Sequence, residues 1–221
     1  MKDKVKIKHT GICSPHFHGL QNQSLQLQFG DDRVRLKALG SEVHPDGNIT
    51  DLQYSMLFTE HAIYNLARPY TSYTPQSKIV SVNGDPQDIF MSLNDSFPNT
   101  VREKSFVSWP NLYKANRYSP VVQERYFDAM WKVKDGPDEE IKAQFMKFLA
   151  PFLEAVDVPR QGQVSTTMNV DDYRRYLALN AIFGSSHMDT HNLLFTMSRG
   201  NGNSVEWHPI LYDLSGFENS Q

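Results

Sequence analysis

The sequence predicts a two-lobed α+β protein, in which a small lobe of one antiparallel sheet and one helix precedes a mainly helical large lobe. Three observations predict this fold class. Short segments of the first half alternate apolar and polar residues, as strands with one buried face do. Apolar residues of the second half recur at helical spacing. Between the halves, Pro98, Pro110 and Asn111 interrupt any regular pattern. The predicted lobes are therefore residues 1–97 and 98–221.

The small lobe is predicted to contain five strands and one helix. The helix is predicted over residues 51–66, where apolar residues recur at helical spacing, and Pro69 and Pro75 prevent its continuation. Gly30-Asp31-Asp32 and Asn83-Gly84 are turn sequences of the kind that join paired strands. The predicted strands are Val5–His9, Ser24–Phe29, Arg33–Leu39, Lys78–Val82 and Asp88–Leu93.

The large lobe is predicted to contain three helices, over residues 118–131, 139–153 and 173–183. Asn169 is the predicted N-cap region of the last helix. Aromatic residues at helical spacing are predicted to form its core: Tyr126, Phe127, Trp131, Phe145, Phe148 and Phe152. Two apolar runs, Leu193–Phe195 and Ile210–Tyr212, then suggest a hairpin that leads to Asp213. Because the chain stops soon after Asp213, we expect that it is truncated at its C-terminus.

Composition narrows the classes of function. The chain has 221 residues, 39% of them hydrophobic and 21% charged, which describes an ordinary globular protein. A formal net charge of -3 argues against a nucleic-acid partner, and no apolar run is long enough for a membrane span. Cys13 is the only cysteine, so the sequence excludes an internal disulfide and a cysteine-rich zinc site. We expect a cytoplasmic protein, or one incorporated in a spore-type or virion-type assembly.

Several motifs in order resemble the CotH-type spore-coat kinase family, an atypical branch of the protein-kinase-like folds. They are the hairpin sequence Val80–Gly84, the helix sequence Asp171–Asn180 and the strand end Trp207–Asp213. The resemblance extends from about Ser24 to Phe217. It implies a two-lobed protein-kinase-like fold, ATP and Mg²⁺ (or Mn²⁺) as cofactors, and phosphate transfer to Ser or Thr hydroxyls of a protein substrate.

The resemblance also implies roles for individual residues. Asp189 would orient or deprotonate the acceptor hydroxyl, and Asn192 and Asp213 would be the metal ligands. Lys37 would hold the nucleotide phosphates, and Glu60 on the predicted helix would pair with Lys37. The plainer alternatives are that Lys37 is a solvated strand residue and that Glu60 is an exposed helix residue.

The chain departs from the family pattern in the loop that would carry the catalytic base. The family places Asn five residues after the catalytic Asp, whereas Asn192 follows Asp189 by three. Either this loop is shorter, or His187 occupies the position of the Asp and the catalytic base is altered. Ser215 also replaces the second acidic residue that the family has after the metal ligand. A pseudokinase that serves as a structural or assembly protein therefore stays open as an alternative.

Two hydrolase classes differ in the support that the sequence gives them. His187, Asp189, His191 and His208 offer imidazole and carboxylate groups that suit zinc or iron, so a metal-dependent hydrolase is a further alternative. A serine hydrolase has no support in the sequence, because the chain lacks a G-x-S-x-G motif.

Overall fold

The computed structural model describes residues 5–9, 24–30, 32–38, 51–81, 89–104, 127–128, 130–155, 167–183, 193–200 and 204–212. The chain divides into two compact units. The described residues up to Ser96 form the first unit, except Tyr70–Tyr73. That short segment and the described residues from Phe97 onward form the second unit.

The first unit is a five-stranded antiparallel sheet with one helix. Its strands lie in the order β1-β2-β3-β5-β4. Met91 and Leu93 on the sheet and Ile63 and Tyr64 on the helix are buried and contribute to its core. Every one of these elements was predicted within two residues of its observed ends, so the element predictions are confirmed. The elements are β1 Val5–His9, β2 Leu25–Phe29, β3 Asp32–Ala38, α1 Asp51–Ala67, β4 Gln76–Ser81 and β5 Ile89–Asn94.

The second unit contains a four-stranded antiparallel sheet in the order β7-β6-β8-β9. Phe145 on α2 is the centre of its core, with ring centroids 4.8 Å from Trp131, 5.8 Å from Phe195 and 4.9 Å from Trp207. The predicted aromatic core is confirmed for the residues whose burial is described, which include Phe127 and Phe148. The elements are β6 Thr100–Glu103, β7 Trp131–Asp135, α2 Asp138–Ala155, α3 Val170–Phe183, β8 Leu194–Arg199 and β9 Val205–Pro209.

The predicted fold class is wrong. The described part of the chain is mostly β, with nine strands in two antiparallel sheets and three helices, and it has no large helical lobe. A protein-kinase-like α+β fold with a mainly helical large lobe is therefore not what this sequence forms. The cause lies in two strands that sequence patterns did not show. The predicted helix over residues 118–131 ends at Trp131, but Trp131 begins β7. Thr100–Glu103 lies in the predicted irregular boundary between the lobes, but it forms β6.

No helix in the described ranges is long and apolar enough to cross a membrane. This agrees with the sequence, which has no apolar run of the required length.

Candidate functional site

An ion pair joins β3 to α1 in the first unit. Lys37 Nζ lies 2.9 Å from Glu60 Oε2 and 3.1 Å from Glu60 Oε1, so the ammonium contacts both carboxylate oxygens. The Tyr64 hydroxyl donates a hydrogen bond of 2.7 Å to Glu60 Oε1. Glu60 and Tyr64 are both 0% exposed, whereas 21% of the Lys37 side chain is exposed. The predicted contact between Lys37 and Glu60 is therefore present, and Glu60 is not an exposed helix residue.

Because Glu60 is buried, its negative charge is stable only if nearby groups compensate it. A carboxylate moved out of water loses several kcal/mol of hydration, which only a close cation and hydrogen bonds can offset. Glu60 has both, since Lys37 comes from the sheet and Tyr64 stands one turn further along the same helix. Removing Lys37 alone would leave an uncompensated buried charge, a change that typically costs about 3–5 kcal/mol. The pair therefore holds the ammonium of Lys37 at a fixed position.

The same side of the sheet carries further cations. Residues alternate between the two faces of a strand, and directly opposite residues share a face. Gln28 lies opposite both Lys6 and Arg33, and Gln26 opposite both Lys8 and Arg35. We name the resulting surface the basic face, which consists of Lys6, Lys8, Arg33, Arg35 and Lys37.

The members of the basic face differ in their surroundings. Lys6, Lys8 and Arg33 are exposed to solvent. Arg35 Nη1 lies 3.4 Å from Oδ2 of the buried Asp95, in a second ion pair on this side of the sheet. Two cations of the basic face, Arg35 and Lys37, are therefore held in position by acidic partners.

The other predicted site residues lie outside the described part of the chain. They are His187, Asp189, His191, Asn192 and Asp213. Their predicted roles in catalysis and metal binding stay predictions. Within the described ranges, no group of three or more His, Cys, Asp or Glu residues could hold a metal ion.

A second polar cluster, in the second unit, was missed in the sequence. Nδ1 of the buried His208 lies 2.7 Å from Asp172 Oδ2, and its Nε2 lies 2.8 Å from Ser198 Oγ. The Tyr73 ring stacks on the His208 ring at a centroid distance of 4.3 Å, and its hydroxyl hydrogen-bonds with Ser198. These four residues come from separate segments of the chain, and no motif joins them. Of the four, the sequence indicated only His208, and with different partners.

Backbone hydrogen bonds bring the start of α3 to β9 and so place Asp172 beside His208. The Trp207 amide donates to the Thr167 carbonyl at 2.8 Å, and the Asn169 amide donates to the Trp207 carbonyl at 3.1 Å. Asn169 then caps the helix, because its Oδ1 accepts from the Asp172 amide at 3.0 Å. The predicted N-cap is thereby confirmed, and Asp172 falls in the first turn, where a carboxylate is favoured.

Burial also shifts the acidity of several groups in the second unit. Desolvation raises the pKa of the Glu103 carboxyl, although a hydrogen bond with the backbone of Leu193 lowers it in part. Burial raises the pKa of the Tyr176 hydroxyl, and electrostatic interactions with Tyr173 and Glu103 add to that effect, although a hydrogen bond with Asn180 lowers it in part. Burial likewise raises the pKa of Tyr73, although the hydrogen bond with Ser198 lowers it in part. The charges of Asp172 and Glu206 raise this pKa further, so the hydroxyl keeps its proton at neutral pH.

Comparisons with protein-family models, with curated proteins and with solved structures found no significant match. The resemblance to the CotH-type family therefore stays a prediction that rests on the sequence motifs alone.

Proposed function

We propose that the protein binds a nucleoside triphosphate through Lys37 and transfers its terminal phosphoryl group, with a divalent metal, to a Ser or Thr hydroxyl of a protein substrate. The observation that carries this proposal is the contact of Lys37 with both oxygens of the fully buried Glu60. It is the one predicted pair of site residues that lies wholly within the described part of the chain.

A fixed ammonium suits phosphoryl transfer for an electrostatic reason. The transition state is loose and highly charged, so a protein accelerates the reaction mainly by positioning and by stabilising charge. Glu60 and Tyr64 hold Lys37 in place before a ligand arrives, which reduces the reorganisation that binding would otherwise require. The side chain of Lys37 is nevertheless partly exposed, so its ammonium can approach a phosphate oxygen.

The basic face supports the same ligand. A triphosphate carries several negative charges, and one ammonium that already has a carboxylate partner does not neutralise them. Arg33 and Arg35 precede Lys37 at alternate positions of β3, and Lys6 and Lys8 extend the row on β1. This surface attracts anions although the net charge of the chain is -3.

A divalent metal would supply the remaining positive charge when it is bound. Asn192 and Asp213 would hold it, because amide and carboxylate oxygens are ligands that Mg²⁺ and Mn²⁺ prefer. Asp189, or His187 in the alternative alignment of the loop, would receive the proton of the acceptor hydroxyl. These assignments rest on the sequence resemblance.

The test compares ATP binding by isothermal calorimetry and phosphate transfer by radiolabel, both with Mg²⁺ and with Mn²⁺. The informative variant is Lys37→Met combined with Glu60→Gln, because it removes both charges and leaves no ion buried alone. We expect it to fold and to lose at least about tenfold in ATP affinity, equivalent to about 1.4 kcal/mol. Glu60→Gln alone keeps the ammonium but frees it, so transfer should fall more than binding.

Lys78→Gln is the matched control. Lys78 is an exposed lysine on β4 of the same sheet, but its register places it on the face opposite to Lys37. The Lys78→Gln variant should bind ATP with the same affinity as the unmodified chain. Equal ATP affinity in the Lys37→Met/Glu60→Gln variant would show that the pair is merely structural. If the unmodified chain itself fails to bind millimolar ATP with either metal, the catalytically silent scaffold replaces the kinase proposal.

A further inference from the structure

We propose that Ser198, His208 and Asp172 form a second reactive site, in which Ser198 is a nucleophile for the carbonyl carbon of small neutral or cationic esters. This site lies entirely within the second unit and does not depend on Lys37 or on nucleotide binding. The geometry points to it, although the sequence contains no hydrolase motif. A Ser-His-Asp arrangement recurs on unrelated folds and is recognised by distances and roles, not by sequence order.

The three residues stand in the order that proton transfer requires. Asp172 accepts the proton of His208 Nδ1 at 2.7 Å, which leaves Nε2 as the acceptor in the neutral imidazole. Ser198 Oγ then donates its proton to Nε2 at 2.8 Å. Both distances are within the reach of a nucleophile and its general base. Arg175 Nη1 lies 3.2 Å from the other oxygen of Asp172, so this carboxylate is held from two sides.

The sheet presents this cluster on the face opposite to the aromatic core. Ser198 and His208 are diagonal neighbours, since Ser198 pairs with Glu206 and Thr196 pairs with His208. Met197 and Trp207, at the alternate positions, enter the core. His208 is buried, whereas Ser198 is partly exposed, so the hydroxyl can meet a small molecule while the imidazole stays shielded from bulk water.

Tyr73 supplies a donor for the oxyanion that forms on the carbonyl oxygen. Its hydroxyl hydrogen-bonds with Ser198, so it would lie next to a carbonyl carbon that is bonded to Ser198 Oγ. Burial raises the pKa of this hydroxyl, which therefore remains a donor at neutral pH. A tyrosine hydroxyl is one of the side chains that can stabilise such an oxyanion. The stacked ring of Tyr73 also restricts the rotation of His208.

The proposed reaction consists of two balanced steps. Ser198 Oγ bonds to the carbonyl carbon while its proton moves to His208 Nε2. The bond between the carbonyl carbon and the alkoxide oxygen then breaks, and His208 Nε2 gives the proton to that oxygen. An acyl-Ser198 ester and a free alcohol result. Water then attacks the acyl group by the same route, which yields a carboxylic acid and restores the Ser198 hydroxyl.

The surroundings indicate which esters would react. Glu206 lies directly opposite Ser198, and its Oε2 lies 3.9 Å from Nε2 of His208. The carboxylates of Glu206 and Asp172 therefore make the field around Ser198 negative. An anionic ester would be repelled by this field, whereas a neutral or cationic one would not. The face of the Tyr73 ring adds an aromatic surface for the alcohol portion of the ester.

The first test is covalent labelling of the intact chain with a fluorophosphonate probe, followed by peptide mass mapping. Ser198 Oγ would displace fluoride from phosphorus and retain the phosphonyl group. We expect one adduct, on Ser198, and at least about 100-fold slower labelling in Ser198→Ala. Ser72→Ala is the matched control, because Ser72 is an exposed serine next to Tyr73 and should not change the rate. Absence of an adduct on Ser198 in the unmodified chain would overturn the proposal.

The second test measures hydrolysis of p-nitrophenyl acetate against its anionic succinate analogue. Tyr73→Phe should slow acetate hydrolysis about 100-fold, the effect of losing one oxyanion donor. Asp172→Asn should slow labelling to a similar degree. The neutral amide can donate to His208 Nδ1, which favours the wrong imidazole tautomer, and it does not stabilise the imidazolium. Circular dichroism would verify that both variants are folded, and ATP binding should be unaffected. Unchanged labelling in a folded Asp172→Asn variant would show that the cluster only connects α3 to the sheet.

Discussion

At the scale of single residues, Glu103 is a carboxylate whose surroundings disfavour its negative charge. Its Oε2 is buried and has no hydrogen-bond partner among the described residues. Burial raises its pKa in the folded protein, so folding disfavours the ionised form. The contribution of Glu103 to stability is therefore fully present below its unfolded pKa of about 4.3 and is lost as the pH rises through its higher folded pKa.

Glu103→Gln should consequently raise the free energy of unfolding at pH 7, because the neutral amide avoids the desolvated charge. The gain should shrink as the pH falls and vanish below about pH 4, where Glu103 is protonated in both states. Urea unfolding of both proteins across this range would measure it. Glu139→Gln is the control, since Glu139 is exposed in the first turn of α2 and its loss should give no gain at pH 7. A Glu103→Gln gain that is independent of pH would contradict the argument.

The site residues show what a sequence can indicate at this scale. The pairing of Lys37 with Glu60 was implied by the resemblance to the CotH-type family, whereas periodicity predicted only the strand and the helix on which they lie. The complete burial of Glu60 could not be foreseen, since it depends on packing of α1 against the sheet. Ser198 and Asp172 could not be identified as site residues from the sequence. They approach His208 only because β8 pairs with β9 and because Asn169, the N-cap of α3, hydrogen-bonds to β9.

At the scale of elements, the turn between β7 and α2 depends on one glycine. Gly136 has φ of +103°, a conformation that side chains rarely adopt, and a Cβ at this position would overlap Ile141 Cδ1 and lie 2.8 Å from Asn99 Oδ1. Gly136→Ala should therefore combine backbone strain with overpacking and lower the free energy of unfolding by at least about 2 kcal/mol. Chemical denaturation would measure this loss.

Gly30→Ala separates the two causes. Gly30 has φ of +60°, but no atom of the described residues lies within 4 Å of the position that a Cβ would occupy, so only backbone strain remains. The expected loss is about 1 kcal/mol. Equal losses in the two variants would show that the contacts with Ile141 and Asn99 contribute nothing.

The elements of the two units were predictable to different degrees. In the first unit, the pair β2–β3 and the pair β4–β5 are each formed by neighbours in sequence, so local alternation was sufficient. In the second unit, β6 pairs with β7 and with β8, about 30 and 95 residues later in the chain. Thr100–Glu103 is too short to show alternation, and Trp131 continued a helical spacing. At both places, pairing with strands distant in sequence determined the secondary structure, and the local sequence pattern did not.

At the scale of the whole molecule, net charge and local charge have opposite signs. The chain carries -3 overall, yet the basic face collects five cations on one side of the first sheet. Lys6, Lys8 and Arg33 are exposed, so salt screens them strongly, over a Debye length of about 10 Å at 0.1 M and 3 Å at 1 M. Lys37 is largely buried and is screened less.

If the basic face guides a triphosphate to Lys37, then ATP affinity should fall several-fold between about 0.05 and 0.5 M KCl, because screening removes the contribution of the exposed cations. Combined Lys8→Gln and Arg33→Gln substitutions should weaken binding at low salt and flatten this dependence, whereas Lys78→Gln on the opposite face should leave it unchanged. Calorimetric titration of ATP at several salt concentrations would measure the slopes. The same slope in all three proteins would mean that the exposed cations do not act on the ligand, and that Lys37 alone would have to account for any phosphate binding.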